Sequence, residues 1–321
     1  MSGVAHALWI TAAQQAALCK TNYETGKGDL QITTLFTAIS RGTERLVFEG
    51  RVPEGEHETM RAPFQQGTFS FPVKYGYSAV GRVMNTARAG EIVFTLFPHQ
   101  SEFTIPPAAA LTVPDTVAPA RAVLAANMET ALNIIWDSGI TAGDRVAVIG
   151  AGVVGSLVGY LAARIPGTEV YLVDIDPARD TLARALGCQF AMPDNAPGDA
   201  DVVIHASASE AGLATAIAIA GLEATVIEAS WYGNGVTRAP LGGRFHQRRL
   251  RLVASQVGRI PSDHAARWTY ARRLAKALDL LADPALDLLI SGETAFEDLA
   301  ESYGSILTDP STLCHRVRFA L

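Results

Sequence analysis

The stretch RVAVIGAGVVG, Arg145 to Gly155, decides the fold. Its Val- and Ile-rich start fits a short buried strand, and the run after it is G-x-G-x-x-G opening a helix. Gly150 permits the tight turn, Gly152 lets the backbone approach a pyrophosphate, and Gly155 lets the helix pack close to the strand. Val153 and Val154, the first helical residues, offer free N–H groups and the positive end of the helix dipole to phosphate oxygens. The context supports the pattern. An apolar helix, Val153 to Ile165, follows, then a second strand, EVYLVD, ending at Asp174. Asp174 stands where a carboxylate would accept hydrogen bonds from an adenosine ribose. The competing reading is a glycine-rich turn in an unrelated α/β domain.

Downstream the pattern alternates. Asp176 caps and Pro177 starts a helix that stops at Gly187. DVVIH reads as a strand, Glu210 to Ala220 as a helix, TVIEA as a strand and RLRLVA as the last strand. Such alternation means a parallel, doubly wound sheet. Ligands bind such sheets at the C-terminal strand ends, near the switch in strand order. Ser207, Ser230 to Tyr232, and Ser255 to Val257 with Gln256 follow strands and are therefore site candidates.

Upstream, residues 5–118 read mostly as β structure. HALWITA is a strand, and DLQITTLFTAIS alternates Leu30, Ile32, Thr34 and Phe36 at the period of a half-buried strand. Gly50 to Pro72 reads as loop. VKYGYSAVGRVM, EIVFTLF and SEFTIPP follow as short strands, which suggests a small barrel or sandwich. Pro106, Pro107, Pro114 and Pro119 mark a boundary, and Ala120 to Trp136 then carries apolar residues at helical spacing. After Gly258 come two helices, Trp268 to Leu281 and Phe296 to Leu307, and an apparent strand, CHRVRFA. That strand needs a sheet partner, and the first domain is the expected one. The reading gives a β domain over 1–120, a dinucleotide domain over 121–258 and a return over 259–321.

With 321 residues, 49% hydrophobic and 18% charged, the chain can build two cores. A net charge of −6 argues against nucleic-acid binding. No run reaches the length of a membrane span, and MSGVAHALWITAA lacks the pattern of a signal peptide. Cys19, Cys188 and Cys314 are far apart with no CxxC pair, so no disulfide framework or zinc ribbon is expected, and a reducing cytoplasm fits.

The layout resembles the medium-chain dehydrogenase/reductase superfamily, to which the zinc alcohol dehydrogenases belong. The resemblance implies an α/β fold: a GroES-like β domain, a Rossmann doubly wound parallel sheet, and a C-terminus returning to the first domain. AISRGTERLVFEGRVP (Ala38 to Pro53) and FPVKYGYSAVGRV (Phe71 to Val83) are most similar to the bacteriochlorophyllide a dehydrogenase branch, which converts a 3-hydroxyethyl side chain to acetyl. The zinc enzymes carry a Cys where this chain has Ser40, and a G-H-E segment where it has Gly76-Tyr77-Ser78. Their third ligand falls near Ala126–Asn127, and their four-cysteine lobe is missing. Hydroxyls are poor zinc ligands beside thiolate and imidazole. Neither catalytic nor structural zinc is expected.

The resemblance places Arg41 where an Arg meets the coenzyme pyrophosphate, a bidentate task suited to guanidinium. Without zinc, hydrogen-bond donors must stabilise a developing alkoxide. Tyr77 and Ser40 replace metal ligands and are expected to face one pocket. Thr43 matches the hydroxyl that begins the family's proton relay, with Gly42 as one extra residue. His99, in the loop FPHQ, suits proton exchange. Each has a bland alternative: a core aromatic, a strand end, a helix cap, a packed histidine.

Asp174 repels a 2′-phosphate, so NAD(H) is favoured over NADP(H). The resulting expectation is a zinc-independent, NAD-linked oxidoreductase interconverting a secondary alcohol and a ketone. The alternatives are an NADPH-dependent double-bond reductase and a non-catalytic NAD(H)-binding sensor. Trp231 and Tyr232 could wall a bulky aromatic substrate. Residues 229–262 contain Arg238, Arg244, Arg248, Arg249, Arg251, Arg259 and His246 but no acid. That run could steer an anionic substrate, or form a solvated edge or subunit contact. The family habit implies a homodimer joined around residues 223–254, and no membrane partner.

Overall fold

Val146, Ala147 and Val148 are fully buried, as a strand covered on both faces requires. The structure, a computed structural model, describes residues 2–320. The chain divides into two units, one built from residues up to Ala126 together with those from Leu278 onward, the other from Asn127 to Ala277.

The second unit is a parallel sheet of six strands among the described residues. Their spatial order is Gln189–Ala191, Glu169–Val173, Arg145–Ile149, Ala200–His205, Ala220–Glu228, Arg251–Ala254. The chain lays strands to one side of Arg145–Ile149, then crosses and lays the rest on the other. The switch point therefore lies between Arg145–Ile149 and Ala200–His205. Helices Val153–Ala162 and Glu210–Ile219 connect strands, and Leu213, Ala216 and Ile217 of the latter pack onto Ile149, Val203 and Val226. This is the doubly wound sheet the alternation implied.

The first unit is built on antiparallel strands. Leu30–Ser40 is its central strand: one end pairs with Glu102–Ile105 and the other with Cys314–Arg318, while its opposite edge pairs with Ala79–Val83. Leu30, Ile32, Val93, Phe103 and Ile105 form the core beneath. Cys314–Arg318 also pairs in parallel with Ile290–Ala295, through helix Leu299–Thr308. The C-terminal strand thus returns to the first unit, as its unpaired backbone required.

Several boundaries differ from the sequence reading. The helix expected from Pro177 begins at Arg179, because Asp176 accepts a hydrogen bond from the Ala178 N–H and holds a turn there first (3.0 Å). Ala120 to Trp136 is two helices, Pro119–Ala122 and Ala125–Ser138, with a turn between. Gln15–Glu24, not foreseen as a strand, pairs along Ser2–Ala12 through a tight turn at Gln14 (φ 62°). Residues 259–277 pack with the second unit.

Candidate functional site

The glycine turn shows what each glycine does. Gly150 has φ +103°, and a Cβ there would lie 2.9 Å from the Ser207 backbone. At Gly155 a Cβ would lie 1.9 Å from the Gly150 carbonyl, so only glycine lets the helix start this close to the strand. A Cβ at Gly152 would meet nothing within 4 Å. Two glycines are demanded by packing, and the middle one borders open space at a helix N-terminus. Val153 and Val154, half-buried, begin that helix. The Asp174 carboxylate, at the end of the neighbouring strand, accepts from Ala151 N–H (2.6 Å) and Asp176 N–H (2.9 Å). It braces the turn while standing beside it. The turn, its helix amides and an acceptor carboxylate suit a dinucleotide.

The rest of this strand-end surface is a hydroxyl array around a histidine. His205 ends its strand and lies in register with Glu228 on the next. The ring Nδ1 is 2.8 Å from Glu228 Oε2, and Nε2 is 2.7 Å from Ser207 Oγ. Ser207 Oγ is 2.9 Å from Ser209 Oγ. The Ser230 N–H donates to Glu228 Oε1 and its hydroxyl accepts from Ala208 N–H. Tyr232 donates its phenol proton to Glu228 Oε2 (3.2 Å), and burial pushes that phenol up to about 12. Burial raises Glu228, but bonds from His205 and Ser230 outweigh it and hold the carboxyl below its ordinary range. Ser207 and Ser230 were legible from strand ends; His205 and Glu228 were not. Each closes an apolar run (VVIH, TVIE), and two ionisable residues ending adjacent strands were the available signal. Beyond the last strand, Ser255 donates to Asp137 (2.6 Å), and buried Arg273, paired with Glu129 (3.0 Å), donates to the Val257 carbonyl (2.6 Å). These bonds pin the backbone flanking the exposed Gln256.

The basic run sits largely elsewhere. Arg248 meets Asp199 and the Ala220 carbonyl, Arg249 meets Glu223, and Arg244 donates to the Ala218 carbonyl. These partners lie at the N-terminal ends of the strands, opposite the glycine turn.

In the first unit, Ser40 closes the central strand, half-buried Arg41 opens helix Arg41–Phe48, and Thr43 lies in its first turn. The Tyr77 phenol hydrogen-bonds with the Ser40 and Thr43 side chains. Burial chiefly pushes it up to about 12; the two hydroxyls act against this and Glu44 adds to it. His99 stands in a different group. It is fully buried, with Nδ1 2.6 Å from Thr37 Oγ1 and Nε2 3.0 Å from Glu44 Oε2. Glu44, also fully buried, further accepts from Tyr303 OH (2.7 Å) and Ser40 N–H (2.7 Å). So the structure joins Ser40, Thr43 and Tyr77, and encloses His99. Zinc needs thiolate, imidazole or carboxylate donors. At two of the expected positions, Ser40 and Tyr77, the side chains are hydroxyls that hydrogen-bond with each other, and they do not fit zinc. Among the described residues no group of three His, Cys, Asp or Glu side chains could hold a metal ion.

No family model matches the sequence. Solved structures do match. L-idonate 5-dehydrogenase from Escherichia coli K-12 aligns over 99% of both chains at TM-score 0.81 and 15% identity. An E. coli CFT073 protein described as a short chain alcohol dehydrogenase, complexed with NADH, aligns over 99% of both at 0.77 and 15%. S. aureus TarJ in complex with NADPH aligns over 99% of this chain and 100% of its own, at 0.76 and 13%. The fold is that of these dehydrogenases. Within this dehydrogenase fold, the GroES-like β domain and the Rossmann sheet expected from sequence are both present. Among the described residues no helix is long and apolar enough to cross a membrane.

Proposed function

We propose that this chain is a zinc-independent, NAD-linked oxidoreductase that interconverts a secondary alcohol and a ketone. One observation carries the reading: the hydroxyls of Ser40 and Tyr77, at positions where the resembling zinc enzymes keep metal ligands, gather with that of Thr43, which matches the family's relay hydroxyl. A second unit with a Gly150–Gly155 turn and Asp174 supports dinucleotide binding, and the likeness to dehydrogenase folds agrees with it. Arg41, Gly150, Gly152, Val153, Val154, Gly155, Asp174, Ser207, Ser230 and Gln256 would hold the coenzyme, whose nicotinamide ring supplies the hydride acceptor. Tyr77 donates a hydrogen bond to the substrate oxygen, its raised phenol remaining protonated through neutral pH, and the proton that this oxygen gains or loses is exchanged with water. Ser40 and Thr43 orient that phenol. Asp174 favours NAD(H) by repelling a 2′-phosphate. The substrate class is a secondary alcohol or its ketone.

We also propose a homodimer joined through Arg251–Ala254, an edge strand exposed at every residue. Sedimentation as a monomer at micromolar concentration would remove that part.

The test is turnover of a secondary-alcohol panel with NAD, with metal content measured on the same preparation. Tyr77→Phe should lower kcat on the order of 10²-fold with little change in NADH affinity. Stoichiometric zinc, or full activity in Tyr77→Phe, overturns the hydroxyl reading. Preference for NADPH with an activated alkene would point to a double-bond reductase; NADH binding with no turnover would point to a sensor.

A further inference from the structure

His205 is fully buried, yet hydroxyl groups connect its ring to the surface. The path runs from Nε2 to Ser207 Oγ (2.7 Å), then to Ser209 Oγ (2.9 Å), which is exposed and caps helix Glu210–Ile219 by accepting from Gly212 N–H (3.0 Å). The helix makes room for this array with a glycine. A Cβ at Gly212 would lie 2.2 Å from Ser207 Oγ, 2.7 Å from His205 Nε2 and 2.8 Å from Ser209 Oγ. The array lies at the switch point, and Gly150 abuts the Ser207 backbone at 2.9 Å.

The direction of each hydrogen bond depends on the ring's charge. A neutral imidazole bound to Glu228 carries its proton on Nδ1, so Nε2 accepts from Ser207. The Ser207 hydrogen is then used inward and the Ser209 hydrogen is drawn toward Ser207. Both hydroxyls offer only lone pairs outward. A protonated ring reverses the chain: Nε2–H donates to Ser207, Ser207 donates to Ser209, and the Ser209 hydrogen turns outward. The ligand-facing edge changes from acceptor to donor. A dinucleotide presents phosphate, ribose and carboxamide oxygens, all of which accept.

We propose that His205 and Glu228 are positioning residues that set the hydrogen-bond polarity of Ser207 and Ser209, so that dinucleotide binding by the second unit is coupled to proton uptake at His205. This rests on the coenzyme reading above. Glu228 on the neighbouring strand supplies the anion that receives the imidazolium. Tyr232, from the loop beyond that strand, is the other titratable group at the ring, 3.4 Å from Nδ1. The packed helix presents Gly212, and the strand on the far side presents apolar Ile149 in register.

The experiment uses the full chain, with NADH as probe. Affinity is measured by fluorescence between about pH 6 and about pH 8.5, the range spanning ordinary histidine titration. Proton uptake is counted by calorimetry in two buffers of different ionisation enthalpy. The expected result is fractional proton uptake on binding, peaking at about 0.4 proton per NADH, with affinity about fivefold weaker on the alkaline side, the worth of one net hydrogen bond. His205→Gln should bind NADH with a flat pH profile. Ser207→Ala should keep the His205 titration, followed by NMR of the ring, and lose the coupling. A flat wild-type profile overturns the inference, as does a step that survives in His205→Gln. Should His205→Gln fail to fold, the wild-type ring signal decides: no shift in the His205 titration on adding NADH overturns it. If neither NADH nor NADPH binds, the coenzyme reading falls too; binding without coupling removes only the inference.

Discussion

Each unit holds a buried histidine paired with a glutamate, and the two pairs differ in where their hydrogen bonds lead. His99 and Glu44 (3.0 Å) are both fully buried, and their remaining bonds end on buried Thr37, Tyr303 and the Ser40 N–H. His205 and Glu228 (2.8 Å) differ: Glu228 keeps 17% side-chain exposure, and the chain of contacts continues to Ser207, Ser209, Ser230 and Tyr232. The same two residue types make a closed clasp in one unit and an open relay in the other. An enclosed pair fastens elements together, whereas a pair with an outlet can pass a change of charge to a surface. Even the neighbouring glycines correspond. Gly76 backs His99, where a Cβ would come 2.9 Å from the ring, and Gly212 backs His205.

The largest expected difference is in stability. Glu44→Ala leaves an imidazole, a phenol and an amide without their shared acceptor, so denaturant unfolding should show a loss of about 3–5 kcal/mol. Glu228→Ala should cost about 1–3 kcal/mol, because water can reach the vacated partners. Equal losses would erase the contrast.

The two glycines sharpen it. Gly76→Ala forces a side chain onto a φ of +122° and against His99, and should cost about 1–3 kcal/mol in a thermal melt without altering NADH affinity. Gly212→Ala should cost a similar amount, about 1–3 kcal/mol, and also weaken NADH binding, since it displaces the Ser207 hydroxyl. An unchanged NADH affinity in Gly212→Ala would break the idea that this array faces the coenzyme.

The smallest effect is in the acid limb of stability. Glu228 is held below the ordinary carboxylate range, so the unfolded chain binds its proton first as pH falls. The stabilisation is complete above that range and is lost as pH drops through the folded value. Glu228→Gln should therefore lose less stability than the native chain between about pH 5 and about pH 3 in urea titrations. An acid limb as steep as the native one would show that the pair contributes nothing there.

Much of the second unit was legible because its signals are local. The apolar run Val146 to Ile149, the glycines at 150, 152 and 155, the apolar helix after them and Asp174 all fall within one strand–helix–strand span. The returning strand Cys314–Arg318 was legible for a related reason, since an alternating segment must find a sheet. Gln15–Glu24 was hidden because QAALCKTNYE is poor in β-branched residues, and its pairing with Ser2–Ala12 comes from the hairpin rather than propensity. In the site, Tyr77, Ser40 and Thr43 could be named from sequence, but their mutual bonding could not. Glu44 lies 55 positions from His99 and 259 from Tyr303, and no short-range pattern links them.

The amino-acid sequence by itself determined the parallel sheet, its glycine turn and the return of the C-terminal strand. Those follow from periodicity and backbone freedom, which act over a few residues. Tertiary structure alone decided which histidine is sealed and which is connected. That choice depends on sheet register, which sets His205 beside Glu228, and on packing, which closes Thr37, Glu44 and Tyr303 around His99.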